Sequence, residues 1–165
     1  MSLESIAEWN TFLAVQAGAA ATLTGLVFVA FSINQSKIMT YPGLPGRAAE
    51  SILQLMEVFL ISSAVLVPRQ AERTLAVDIL AIGSAVWVTE VIGLVQYLML
   101  RARHPWWWFV LRAVLSQLAA VPFLVAGITL LLGVPGALYW LVPGFAFSFV
   151  AGTISAWVLL VEILR

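Results

Sequence analysis

Five polar residues inside the long apolar stretches of this sequence could do chemistry within a membrane. Glu50, Gln54 and Glu57 are separated by four and three residues, so on a helix their side chains share one face. Glu90 lies in a later apolar stretch and Arg112 in the one after it. An acidic side chain at the centre of a membrane helix costs about 2.5 to 3.5 kcal/mol. We therefore expect these five side chains to face protein or water.

The depth of two of the glutamates follows from their distance to the predicted helix ends. Counted from Arg47 in one predicted helix and from Leu100 in the next, Glu57 and Glu90 each lie ten residues in. At about 1.5 Å per residue this is about 15 Å, half of a hydrocarbon core of about 30 Å. The sequence therefore predicts two carboxyls at the same level, close to the midplane.

Arg112 is predicted to lie nearer the membrane surface, at a depth of about 8 to 9 Å by the same arithmetic. Its long side chain can extend inward to Glu90 or Glu57, or sideways to Glu50. The spacing alone does not decide which of these carboxylates it contacts.

Two roles fit a pair of acids at this depth. In the first they are structural, and are either held by neighbouring polar groups or kept neutral because burial disfavours the charged form. The neighbours available for this are Arg112, Gln54, Gln96 and Thr89. In the second role, Glu57 and Glu90 line a hydrated path for protons or cations, supported by Glu50, Gln54 and Arg112. The polar stripe favours permeation, and the structural role stays open.

The composition indicates what kind of protein positions these residues. Hydrophobic residues make up 62% of the chain and charged residues only 10%, whereas about a quarter of the residues in soluble proteins are charged. The sequence therefore predicts a multi-pass membrane protein. Basic and acidic residues number eight each, which gives no surplus of positive charge for nucleic acid.

The sequence also lacks the usual signatures of catalysis and of cofactor binding. It contains no cysteine, which excludes disulfides and thiolate metal sites, and its single histidine, His104, has no second histidine to share a metal with. We find no phosphate-binding glycine loop and no set of nucleophile, base and orienting group. We expect no enzyme activity, no metal and no cofactor.

Five apolar stretches predict an all-α bundle that forms a single transmembrane domain. The predicted spans are 10–36, 47–68, 75–100, 107–132 and 138–164. The proline and glycine residues of YPGLPG, 41–46, predict a turn between the first two spans. The segment 2–9 has acidic residues and no basic ones, so we expect an interfacial helix there rather than a cleaved signal peptide.

The distribution of basic residues predicts the orientation. Five spans place the two ends of the bundle on opposite sides of the membrane. One side would carry Lys37, Arg47, Arg101, Arg103, Arg112 and Arg165, and the other Arg69 and Arg73. The positive-inside rule assigns the richer side to the cytoplasm. We therefore expect the N-terminus outside and the C-terminus in the cytoplasm of a cell with this protein in its cell membrane.

Small residues recur at helical spacing on the first and last predicted spans. The first carries Gly18, Thr22 and Gly25, and the last carries Gly144, Ser148 and Gly152. Such ladders let membrane helices approach closely. We expect the first span to lie at the centre of the packing. Because the two ladders exceed the needs of one small bundle, we also expect a homo-oligomer surrounded by lipid.

Two segments carry a resemblance to known sequences. TGLVFVAFSINQSKI, 24–38, and YPGLPGRAAESI, 41–52, resemble a pattern in small uncharacterised bacterial membrane proteins, some of them labelled modulators of the membrane protease FtsH. The resemblance covers the first two spans and implies a bacterial inner membrane. It implies no site residues, because the characterised modulators have more spans. As the alternative to permeation, it suggests a non-catalytic adaptor that binds a larger membrane protein such as a protease.

Overall fold

Long helices account for nearly all of the described chain. A computed structural model describes residues 9–40, 44–99 and 106–161. In chain order the helices are α1 (Asn10–Ile33), α2 (Gln35–Ile38), α3 (Leu44–Val65), α4 (Glu72–Met99), α5 (Trp106–Leu131), a 3₁₀ helix (Ala137–Trp140) and α6 (Leu141–Val161). Five of them, α1, α3, α4, α5 and α6, are long and apolar enough to cross a membrane. The protein is an all-α membrane bundle.

The second membrane helix begins earlier than the proline and glycine pattern predicts. Leu44, Pro45 and Gly46 already belong to α3, so the predicted turn over 41–46 was wrong for its second half. The first four N–H groups of a helix have no partner within it, and a proline there therefore loses no hydrogen bond. Residues 41–43, the predicted interfacial segment 2–8, the basic loop 100–105 and the predicted helix end 162–164 lie outside the described residues.

The helices form a closed ring. α3 packs against α1, α4 and α6, while α5 packs against α4 and α6, and α1 also packs against α6. Cross-helix contacts pair successive helices in antiparallel fashion. We call the end that holds the loops 66–71 and 132–136 the Trp9 end, and the opposite end the Lys37 end.

α3, rather than α1, is the central helix. Half of the residues in its membrane window are buried, against 17% for α1, the lowest share of the five. The buried residues of α1 are Leu13, Ala20, Val27 and Ala30, which form one narrow line along the helix. The prediction that the first span is central was therefore wrong, because the residues of its ladder, Gly18, Thr22 and Gly25, are exposed and lie off this buried line.

The interior contains two apolar clusters. The first fills the Trp9 end, where all five long helices meet; its large, fully buried side chains are Leu13, Ile61, Ile79, Phe123, Leu138, Leu141 and Phe145. The second lies between α1, α3 and α6 towards the Lys37 end and consists of Val27, Ala30, Ile38, Ala48 and Leu55. The remaining part of the interior, between α3, α4 and α5, holds polar side chains.

A glycine cap ends α5 and sets up the approach of α6. Gly133 has φ +68°, its N–H donates to the Leu130 carbonyl at 3.0 Å, and the N–H of Val134 donates to the Thr129 carbonyl at 2.9 Å. This is the Schellman pattern, in which a left-handed residue satisfies the last carbonyls of a helix. Gly136, at φ +80°, then turns the chain into the 3₁₀ helix.

The two small-residue ladders have different environments. A Cβ placed on Gly144 would lie 2.6 Å from the Phe123 ring, and one on Gly152 would lie 3.0 Å from Leu55. Ser148, between these two glycines, is fully buried. The α6 ladder therefore serves packing inside one bundle. No described atom lies within 4 Å of a Cβ placed on Gly18 or Gly25, so the α1 ladder faces outward.

We expect alanine to act in opposite directions at Gly144 and Gly18. Gly144→Ala should lower the free energy of unfolding by about 1 to 3 kcal/mol, because the new methyl group overlaps the Phe123 ring. Gly18→Ala is the matched control, and should raise it by up to about 1 kcal/mol through helix propensity. Denaturant titration in detergent measures both. Equal losses at the two sites would contradict the packing described here.

Candidate functional site

Glu90 is held from both sides by side chains of neighbouring helices. The Gln54 Nε2 on α3 donates a hydrogen bond of 2.7 Å to Glu90 Oε1, and the Ser116 Oγ on α5 donates one of 2.8 Å to Oε2. The Glu90 side chain is buried, with 2% of its surface exposed. One carboxyl of α4 therefore joins three helices.

Ser116 is the member of this network that the sequence analysis missed. It lies four residues after Arg112, so the two side chains share a face of α5, and this spacing was the available signal. Two residues considered as neighbours of Glu90 lie elsewhere. Thr89 donates instead to the Val86 carbonyl of its own helix at 2.6 Å, and Gln96 is exposed.

Arg112 binds Glu50, one of the three carboxylates within its predicted reach. Its Nη2 lies 2.5 Å from both Glu50 oxygens, and the two side chains are 21% and 23% exposed. The Glu50 carboxylate lies against Gly93 of α4, where a Cβ would overlap an oxygen. The absence of a side chain at Gly93 thus leaves the space in which the ion pair between α3 and α5 forms.

Glu57 differs from the other two acids because no described residue pairs with its carboxyl. It is fully buried, and neither carboxyl oxygen has a hydrogen-bond partner among the described residues. Its Oε1 lies 3.6 Å from the Cβ position of Gly83, and Leu124 and Phe123 lie 3.3 and 3.5 Å from that same position. The surroundings of this carboxyl are therefore apolar on the sides of α4 and α5.

Glu57 and Glu90 make different contacts at the interface of α3 and α4. Glu90 pairs with Gln54, whereas the Glu57 carboxyl lies against Gly83, seven residues before Glu90 along α4. Seven residues correspond to about 10 Å of helix. The prediction that the two carboxyls lie at the same level, close to the midplane of a membrane, stays a prediction.

The polar residues together form a line that ends inside the protein. We call Glu50, Arg112, Gln54, Glu90, Ser116 and Glu57 the polar line. It begins at the partly exposed ion pair towards the Lys37 end and continues through the Glu90 network to Glu57. Beyond Glu57, the apolar cluster of the Trp9 end follows, with Ile61, Ile79 and Phe123. The polar line therefore spans only part of the bundle.

The line offers no set of ligands for a metal ion. Within residues 9–40, 44–99 and 106–161, no group of three or more His, Cys, Asp or Glu side chains is arranged to hold one. Its chemistry is that of carboxyl groups, an amide, a hydroxyl and a guanidinium, which can bind and pass protons and can bind small cations weakly.

Comparison with known proteins adds no assignment. No family model matches the sequence, and no match was found among curated proteins or solved structures. The resemblance of 24–38 and 41–52 to bacterial membrane proteins stays a prediction.

A double-mutant cycle should detect coupling between Glu50 and Arg112. We expect Glu50→Gln and Arg112→Gln each to destabilise the bundle, and the pair of changes together to cost less than their sum, with a coupling energy of about 1 to 3 kcal/mol. Denaturant titration in detergent measures each variant. Glu50→Gln combined with Lys37→Gln serves as the control, because Lys37 is exposed, and should be additive.

Proposed function

We propose that this protein conducts protons or cations across the membrane by way of the polar line, with Glu57 and Glu90 as the carboxyls that carry the charge. The observation that supports this most strongly is Glu57, a fully buried carboxyl without a hydrogen-bond partner among the described residues. Glu50, Gln54 and Arg112 support the path, and Ser116 joins them.

Glu57 occupies a position at which a charged side chain is energetically costly. An ionised carboxylate buried without a partner is strongly unfavourable, and an apolar side chain of similar volume usually stabilises such a position more. Both Glu90 oxygens accept hydrogen bonds, so this residue can serve as a structural bridge between helices. Glu57 bridges nothing that the structure describes. A group that can gain and lose charge at this depth is what permeation requires.

The proposed path lies within one subunit. The buried part of the polar line is enclosed by α3, α4 and α5 of the same chain, so a shared axis between copies is not needed to complete it. The homo-oligomer expected from the sequence remains a proposal, and the outward-facing α1 ladder is the feature that favours it. We propose no catalytic role, because the buried carboxyls are shielded from soluble substrates.

The orientation is part of the same proposal. We place the Lys37 end in the cytoplasm, because the sequence assigns the larger number of basic residues to that side. The partly exposed Glu50–Arg112 pair then lies towards the cytoplasm, and Glu57 is the innermost group of the line. The protein would be a multi-pass component of the cell membrane.

A flux assay in proteoliposomes tests permeation. We expect wild-type protein to dissipate an imposed proton or cation gradient, and Glu57→Gln to reduce the rate by about tenfold or more because the amide cannot change charge. Glu72→Gln is the matched control: Glu72 lies in the first turn of α4, away from the line, and its loss should leave the rate unchanged. Equal rates for wild type, Glu57→Gln and empty vesicles would reject permeation.

The second candidate is a non-catalytic adaptor that binds a larger membrane protein. The outward-facing ladder on α1 favours it, since a helix face of small residues permits close contact with another membrane helix. Thr22, on the same face, is also exposed. This candidate does not explain Glu57, which is why we place it second.

A bulky residue on the α1 ladder distinguishes association from a lipid-facing role. We expect Gly18→Leu to abolish cross-linking between copies, or co-purification of a partner from native membranes. Leu26→Phe is the control, since Leu26 is exposed on a different side of α1. Loss of self-association alone, with no co-purifying protein in either case, would count against the adaptor.

A further inference from the structure

We propose that Glu57 is a proton-binding site open to the Lys37 end, and that the Phe123 ring is a gate on the route from Glu57 to the Trp9 end, closed in this structure and opened during permeation. This rests on the proposed function for its biological role and deepens it by naming the ligand and the direction of access. The site, the access and the closure are supported by separate observations.

The surroundings of Glu57 favour a proton over a metal cation. Cations such as Ca²⁺ take about six to eight oxygen ligands, and Na⁺-like ions likewise need several oxygens in place of water. The Glu57 carboxyl lies against Gly83, near the hydrocarbon parts of Phe123 and Leu124, and no described residue forms a hydrogen bond with its oxygens. A proton needs only the carboxylate itself: its binding converts the charged carboxylate into a neutral carboxyl, and its release restores the charge.

Charged groups lie towards both ends of the bundle from Glu57. Towards the Lys37 end, Glu90 lies on α4 and Arg112 on α5, while Glu50 on the same helix as Glu57 binds Arg112. Asp78 and Glu72 lie near the start of α4 at the Trp9 end, where Gln70 donates a hydrogen bond to Asp78. α1 and α6 carry no charged residue between Asn10 and Ile33 or between Leu141 and Val161.

Access from the Lys37 end follows from the polar line. Two donors reach the oxygens of Glu90 and no described donor reaches those of Glu57, so negative charge is better accommodated on Glu90 than on Glu57. A proton that arrives at the partly exposed ion pair meets hydroxyl and carboxyl groups at Ser116 and Glu90. It can then pass through a transient water molecule to Glu57, where the neutral form is the one compatible with apolar surroundings.

Phe123 occupies the position that separates Glu57 from the other end. Its side chain is fully buried, its Cβ flanks Gly83 beside the Glu57 carboxyl, and its ring fits against Gly144 of α6. The ring also contacts Phe145, with a centroid distance of 5.5 Å. Apolar constrictions of this kind block ions by excluding water. The glycines at 83 and 144 allow one side chain to fill the width between α4 and α6.

Infrared spectroscopy of the full-length protein in lipid tests the proton site. We expect a carbonyl-stretch band of a protonated carboxyl at neutral pH that is lost in Glu57→Gln and retained in Glu90→Gln. If the band is absent, or remains in Glu57→Gln, the proton-binding site is refuted. This measurement involves no transport, so its outcome is independent of the proposed function.

Flux measurements on gate variants test the closure. We expect Phe123→Ala to raise proton flux in proteoliposomes by about tenfold or more, since water can enter the vacated space. Adding Glu57→Gln to Phe123→Ala should remove the increase. Leu55→Ala is the matched control: Leu55 is also fully buried against a glycine of α6, Gly152, but belongs to the apolar cluster away from the line. Its flux should equal that of wild type.

The outcomes separate the two proposals. Phe123→Val, which removes less volume, should give an intermediate flux and covers the case in which the alanine variant does not fold. Folded Phe123 variants with wild-type flux, or an increase shared by Leu55→Ala, would overturn the closure. A wild type without any Glu57-dependent flux, together with a Glu57-dependent flux in Phe123→Ala, would overturn the proposed function and support the closed, proton-binding site.

Discussion

The structure depends on one constraint, which is that polar side chains within an apolar bundle must be satisfied by the protein itself. Two of the three acids on the polar line meet this constraint, each in its own way. Glu50 is neutralised by the guanidinium of Arg112, and Glu90 accepts hydrogen bonds from Gln54 and Ser116. Glu57 is the exception, since none of its oxygens is satisfied by a described residue. The exception is more informative about function than the two acids that obey the rule.

The same constraint explains why α3 is central. Its polar face has to meet α4 and α5, and its apolar residues, such as Leu55 and Ile61, then pack against α1 and α6. α1 has no charged side chain and can lie at the edge, with lipid on its outer face. The bundle is thus divided into an apolar half at the Trp9 end and a mixed half at the Lys37 end. Because of this division, the polar line has one end near the surface at the Lys37 end and its other end inside the protein.

Much of the fold could be predicted from the sequence, and less of the site. Hydropathy and length predict five apolar helices, because each must span the same thickness of hydrocarbon. The spacing of Glu50, Gln54 and Glu57 predicts a shared face because helical geometry fixes it. The pairing of Gln54 with Glu90 depends on how far one helix is shifted along its neighbour. Counting residues within a single helix does not give that shift. Likewise, Gly144 and Gly18 have the same residue type at the same spacing, and only the packing of α6 and α1 distinguishes them.

The two glycines of α4 that face acids have a mechanical consequence. Gly83 leaves space for the carboxyl of Glu57, and Gly93 leaves space for the carboxyl of Glu50. α3 and α4 therefore fit against each other at two points that are about 10 residues apart on α4. Sliding one helix along the other by a single turn would drive residues bearing a Cβ against both carboxyls at once. The acids therefore fix the register of this helical hairpin, and motions of the bundle are restricted to those that preserve it, such as tilting of the neighbouring helices α5 and α6.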